Sequence, residues 1–365
     1  MMDFFKNNKK MIITVVVFFV VIIVLLFGGA FIYNKLNSKQ TFSEVETNMK
    51  NAAIKYYEKA SDELPTENNE TTVVSDPELV NSELMKSVNK QLGADGYTCS
   101  GKVVVTNVNG NYRYNPILDC GNEYTTTKFI DYINNNVGTV ESGNGLYNMN
   151  NELVFRGDNV NNYITISNKN YRIVKITEEH VVAIYTEKLE SIKWDDRYNI
   201  DEDSKFGIND YSVSRIRDYL NELYEGNTLL SNKDKLLVTS YDVKIGKRNS
   251  KDTDKSGSLE SSVILEDQYI GLLPVYDYLN ASLDANCTST TSESCLNYNY
   301  LAKYRYNWWT GTANNDNTSK VFIVSDRIAT VHANSSAYVR PVLYLASDVI
   351  YVSGDGSQES PYVIK

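Results

Sequence analysis

Apolar and polar positions divide the chain into segments of different period. Residues 11–33 are almost continuously apolar, interrupted by Thr14. At 1.5 Å per residue a helix of that length covers the roughly 30 Å hydrocarbon layer of a bilayer. The run exceeds the apolar core of a cleaved signal peptide, so it predicts an uncleaved single-pass anchor. From Thr41 to Leu64 the positions Val45, Met49, Ala52, Ala53, Tyr56 and Ala60 recur every three or four residues. That is the period of an amphipathic helix, stopped by Pro65. Residues 66–75 read as a polar loop, and 77–92 as a second helix capped by Ser75 or Asp76.

Strand signals begin at Val103–Val105. Asn109-Gly110 is a strong hairpin turn and sends the chain back over 112–118. Residues 131–150, rich in Asn, Gly and Ser, read as a linker between a module over 34–130 and a domain over 151–365. In that domain 163–166 and 171–176 are predicted strands joined by Asn168-Lys169-Asn170, and 181–186 is a third. A helix follows over 212–223 with Ser212 as its cap. Then come a short element at 233–237, a short apolar helix or turn over 270–281, and late strands at 321–324 and 339–344. Early helices, short strands throughout and long polar loops predict the α+β class.

Charge and cysteines orient this plan. Lys6, Lys9 and Lys10 stand against Asp3 before the apolar run, which predicts a cytoplasmic tail over 1–10. Cys99, Cys120, Cys287 and Cys295 all follow the run. Local pairing, Cys99 with Cys120 and Cys287 with Cys295, is the simplest, and the first pair would clamp the hairpin. Disulfides persist outside the reducing cytosol, so the chain beyond residue 33 is predicted to be extracellular. A zinc site is disfavoured, because there is no C-x-x-C and the histidines are His180 and His332. The net charge of −10 lacks the basic footprint of a nucleic-acid binder. The 28 tyrosines and abundant Asn fit AT-rich codon usage, or a polar aromatic binding surface.

Two resemblances add to this. Asn51-Ala52-Ala53 with Tyr56-Tyr57, Gly96-Tyr97-Thr98-Cys99-Ser100-Gly101, and the Tyr112/Tyr114 strand ending at Cys120 resemble type IV pilin and pseudopilin-like modules of Gram-positive bacteria. The resemblance spans residues 11–130 and implies a helix with a small antiparallel sheet as a stalk. The prepilin peptidase site and the acidic residue of a pilin's apolar segment are absent, so it implies a shape and not a processed filament subunit. Further on, Leu153-Val154-Phe155-Arg156-Gly157-Asp158, Asn161-Asn162-Tyr163-Ile164, Asn307-Trp308-Trp309-Thr310 and Tyr338-Val339-Arg340-Pro341-Val342 resemble an uncharacterised bacterial surface-domain family. That family is distantly similar to C-type-lectin-like and sulfatase-modifying-factor-like domains, which implies a C-type-lectin-like domain over 151–365. Its arginine after the tryptophan pair is missing, since Trp309 is followed by Thr310-Gly311-Thr312.

Candidate chemistry is sparse. Successive strand residues point to opposite faces, so one of Trp308 and Trp309 could face solvent and, with Tyr306 and Asn307, stack on a ligand. The other reading makes both rings core. Asp252, Asp254 and Ser256 resemble the start of a calcium loop, but Val263 stands where its bidentate acid belongs and Lys255 lies inside it. Arg217, beside Asp218, and Arg340, with a carboxylate partner, read as residues that lock the fold. His180 reads as a solvated edge histidine. No catalytic constellation and no cofactor motif is present. The sequence thus predicts a membrane-anchored bacterial cell-surface protein, a non-catalytic adhesin or ligand-binding module for a glycan or protein. Its alternatives are a pseudopilin-like component of a secretion or competence apparatus, and a surface maturase.

Overall fold

The computed structural model describes residues 39–93, 98–303 and 306–365. The described helices are α1 (Phe42–Tyr57), α2 (Asp76–Asn81), α3 (Val88–Gln91), α4 (Phe129–Asn136), α5 (Arg215–Glu225), α6 (Asn232–Lys235) and α7 (Val275–Ala281). The strands run β1 (Thr71–Ser75), β2 (Ser100–Val108), β3 (Asn111–Asp119), β4 (Gly145–Met149), β5 (Glu152–Arg156), β6 (Tyr163–Ile166), β7 (Lys169–Ile176), β8 (His180–Tyr185) and β9 (Ser191–Lys193). They continue as β10 (Tyr241–Lys244), β11 (Ile264–Gln268), β12 (Ile270–Leu272), β13 (Trp308–Ala313), β14 (Lys320–Val324) and β15 (Ile328–His332). The last are β16 (Ser336–Tyr338), β17 (Pro341–Ala346), β18 (Tyr351–Ser353) and β19 (Tyr362–Ile364).

The chain divides into two compact units. Of the described residues, one takes in 39–64 with 72–104 and 116–125; the other takes in 65–71, 105–115 and 126–365. In the first, α1 opens with a capping box in which Thr41 and Glu44 satisfy each other's backbone N–H. It buries Val45, Met49, Ala52 and Ala53. A Cβ at Gly101 would meet Met49 Cε at 2.8 Å and Val88 Cγ1 at 3.0 Å, so a larger residue there must push the end of the Met49 side chain aside. The helix predicted over 77–92 is broken in two. Glu83 adopts φ 57°, and Asp76 Oδ1 accepts from the N–H of Val88 to start α3. Ser75 is the cap of α2. The loop predicted over 66–75 ends in a strand, β1.

In the second unit a nine-stranded sheet has the path β12-β17-β8-β7-β6-β19-β18, with the β4–β5 hairpin attached through β5 to β7. A five-stranded sheet has the order β15-β14-β13-β16-β9, and β10 pairs with β11. The apolar core includes Phe129 and Ile133 of α4, Ile216 and Leu220 of α5, and Val275 and Leu279 of α7.

The α+β expectation, with its transmembrane helix, pilin-like stalk and C-type-lectin-like domain, is corrected to a mixed α/β fold. Helices are not segregated: α5 and α6 fall between β9 and β10, and α7 between β12 and β13. Antiparallel pairing is joined by parallel pairs, β19 with β6 and β13 with β16, which need long crossovers. Among the described residues no helix is long and apolar enough to cross a membrane. The run over 11–33 and the tail over 1–10 lie outside the described residues. The stretch 131–150 holds most of α4, which buries Phe129 and Ile133, and all of β4, with residues 137–144 between them outside any helix or strand.

Candidate binding cleft

A cleft of about 770 Å³ opens in the second unit. Its walls draw on eight separated stretches of the chain. Arg113 comes from β3, Glu152 opens β5, and His180 opens β8. Tyr241 and Asp242 come from β10, and Asp348 follows β17.

Arg113 anchors one side. It is 6% exposed, its Nη1 donates to the carbonyl of Leu236 at 2.6 Å, and its Nη2 pairs with Asp348. Asn115 Nδ2 donates to the Asp348 carbonyl at 3.1 Å and fixes that turn. Arg113 Nε and the nearby lining atom Thr106 Oγ1 are buried with no hydrogen-bond partner among the described residues. Buried polar groups are ordinarily satisfied, so these two mark a polar wall that is not closed on itself.

On another side the rings of Tyr241 and Tyr344 stack at 4.2 Å. The His180 ring meets Tyr241 edge-on at 5.0 Å, and its Nε2 lies 2.9 Å from the carbonyl oxygen of Ser240. Burial lowers the His180 pKa, against the backbone bond and the charges of Glu179 and Asp242. The solvated edge histidine of the sequence reading is therefore a half-buried, positioned one. Thr239 Oγ1 donates to Asn69 Oδ1 at 2.8 Å and adds hydroxyl and amide groups to the rim.

Behind the cleft lies a buried charged cluster. Lys175 Nζ is 3.1 Å from Glu152 Oε2 and 3.3 Å from Asp277 Oδ1, and 2.6 Å from the Tyr276 hydroxyl. Burial raises Asp277 to about 6, against the pull of Lys175. Burial also opposes the ammonium of Lys175, but Asp277 foremost among its neighbours holds it well above its ordinary value.

The residues singled out in the sequence fall elsewhere. Trp308 and Trp309 are both 0% exposed, which removes them as stacking platforms. β13 lies between β14 and β16 and all six of its residues are buried, so strand alternation leaves no solvent face. Trp309 Nε1 donates to the carbonyl of Ile192 at 2.8 Å. Tyr306 is half-buried against Tyr338 at 5.3 Å, and the exposed Asn307 gives its carbonyl to the Tyr338 N–H at 2.9 Å; neither lines the cleft. Arg340 is fully buried, bonded through Nε to the Tyr185 carbonyl at 3.1 Å and lying 4.9 Å from the Trp308 ring centroid. Arg217 binds Gln268 Oε1 and the Ser212 carbonyl instead of Asp218.

The candidate calcium segment over 252–256 forms a self-bonded turn. Asp254 Oδ1 accepts from both the N–H and the hydroxyl of Ser256, and Asp252 Oδ1 accepts from the N–H of Asp254. Arg248 Nη2 approaches Asp252 at 3.8 Å. These carboxylates serve their own turn, and among the described residues no cluster of three acidic, histidine or cysteine side chains is poised for a metal.

Cys99 pairs with Cys120 and Cys287 with Cys295, and no described cysteine is free. Two disulfides fit an extracellular or secreted domain. One Ser–His–Glu grouping does occur. Ser319 Oγ is 2.8 Å from His332 Nδ1 and 2.8 Å from Glu202 Oε2. The serine sits between base and acid and is 0% exposed, whereas a nucleophile needs the acid behind the histidine and an open oxygen.

Sequence reasoning missed the cleft residues because each is an ordinary polar side chain in its own segment. No protein-family model matches the chain, and neither a curated protein nor a solved structure matches it.

Proposed function

We propose that this chain is a non-catalytic extracytoplasmic binding protein whose cleft takes an uncharged, hydroxyl-rich ligand of the glycan class. The observation that carries the reading is the cleft lining. Glu152, Glu179, Asp242 and Asp348 face two permanent cations, Arg113 and Lys244. Arg113 is already paired with Asp348. The excess of carboxylate disfavours phosphate, sulfate and uronate groups, while Thr, Ser and Asn side chains with carboxylates suit sugar hydroxyls. The apolar run over 11–33 supports retention at the cell membrane, with this unit outside.

Binding of the full chain to an array of neutral and anionic glycans, followed by titration calorimetry, tests the reading. Neutral glycans are retained, and Glu179→Ala with Asp242→Ala weakens them at least about tenfold, the loss of one or two good hydrogen bonds. An empty array, or binding untouched by the double substitution, overturns it.

A further inference from the structure

We infer that Lys175 and Asp277 are joined by an autocatalytic intramolecular isopeptide bond, with Glu152 as the proton carrier. The three groups converge from three elements. Lys175 is on β7, Asp277 is in the first turn of α7, and Glu152 opens β5. A bulge makes the convergence possible. Ile173 pairs with Ala183 and Lys175 with Val182, so Val174 is an extra residue in β7. The insertion re-aims the following side chain, and Lys175 ends 1% exposed.

The geometry is that of a trapped condensation. The Lys175 nitrogen lies 3.3 Å from Asp277 Oδ1 and 3.1 Å from Glu152 Oε2. Asp277 is 3% exposed, and the wall around the pair includes Val182, Val342, Tyr241, Tyr276 and Tyr344, together with the cation Lys244. Asp277 and the other neighbours favour the Lys175 ammonium, so the reacting amine arises by proton transfer to the adjacent carboxylate, whose own burial favours its acid form. Burial accordingly pushes Asp277 up to about 6, bringing its acid form within reach at mild pH. Held neighbours react as if at very high concentration, so no further catalyst is required.

The step balances without an oxidant or other co-reactant. The Lys175 ammonium gives one proton to Asp277, leaving an amine and a carboxylic acid. The amine lone pair attacks Asp277 Cγ and the N–C bond forms. Glu152 takes a proton from the nitrogen and delivers it to the hydroxyl of the tetrahedral intermediate. The C–O bond breaks, water leaves and the amide remains. A void of about 10 Å³ beside Lys175, Tyr276 and Asp277 is on the order of what one water needs. The Glu152 side chain, 25% exposed and on the cleft wall, links the buried pair to solvent.

Intact-mass and peptide mass spectrometry of the folded full chain, after reduction and alkylation, tests the bond. The expected result is a mass lower by one water, a branched tryptic peptide joining the segments of Lys175 and Asp277, and no cleavage after Lys175. Glu152→Gln is expected to give the unshifted mass and linear peptides. Linear Lys175 and Asp277 peptides from folded wild-type chain overturn the inference. Water loss that persists in Lys175→Arg also overturns it, by placing the dehydration elsewhere. The readout does not involve the ligand, so it stands or falls apart from the binding reading.

Discussion

His180 Nε2 lies 2.9 Å from the carbonyl oxygen of Ser240. That contact holds the neutral ring as its Nε2–H tautomer, with Nδ1 left as an acceptor. Burial lowers the folded-state pKa below the ordinary 6.5, so the unfolded chain binds the proton more readily. Stability contributed by the neutral ring is present above 6.5 and is lost as pH falls from there toward the lowered folded value. The difference between wild type and His180→Gln isolates the histidine. In urea titrations from neutral pH to about pH 5 the wild type loses more stability than the variant; parallel curves would refute the assignment.

The Arg113–Asp348 pair should behave as a buried ion pair. Asp348→Ala leaves a guanidinium of 7% exposure short of its carboxylate and should cost about 3 kcal/mol. Arg113→Met in the same chain should restore most of that, because an unpaired buried charge is worse than none. Chemical denaturation of both variants measures it.

Trp309 serves packing and one hydrogen bond. Trp309→Phe removes the donor to the Ile192 carbonyl and should cost about 1–3 kcal/mol, read as a lower thermal midpoint. Glycan affinity should not change. A specific loss of binding with unchanged stability would return the tryptophans to the ligand site.

Cys287 and Cys295 are eight positions apart in sequence. In the loop-entropy account a bond closing so short a loop stabilises by about 2–3 kcal/mol. Cys287→Ser with Cys295→Ser should lower stability by that amount. Thiol titration of the native wild-type chain should find no reactive cysteine.

Local signals were legible in the sequence, and the assembly was not. Asn109-Gly110 marks its hairpin because both residues take positive φ, 51° and 80°, as a two-residue turn of that hand requires. Asn150-Asn151 does the same with φ 53° and 65° but was hidden in an Asn-rich stretch read as linker. The turn assigned to Asn168-Lys169-Asn170 falls on Ser167 and Asn168, both at positive φ. The cap placed at Ser212 is Ser214, because Tyr211–Val213 forms its own turn of 3-10 helix first. The mixed α/β class was not legible, since a parallel pair such as Tyr362 with Ile164 leaves no periodic mark. The cleft escaped for a related reason: Arg113, His180 and Asp348 become neighbours only through tertiary structure.

The position of β17 carries a consequence for the time course of folding. It lies between β12 and β8, so Val342 must find Ile184 and Leu343 must find Ile270. Non-local pairings of this kind delay the folding transition, because loop-closure entropy is spent before any contact is gained. The nine-stranded sheet cannot close while the chain is still short of β17. A nascent chain therefore cannot complete this sheet until residues 341–346 have been made, and β12 has no partner in it before then.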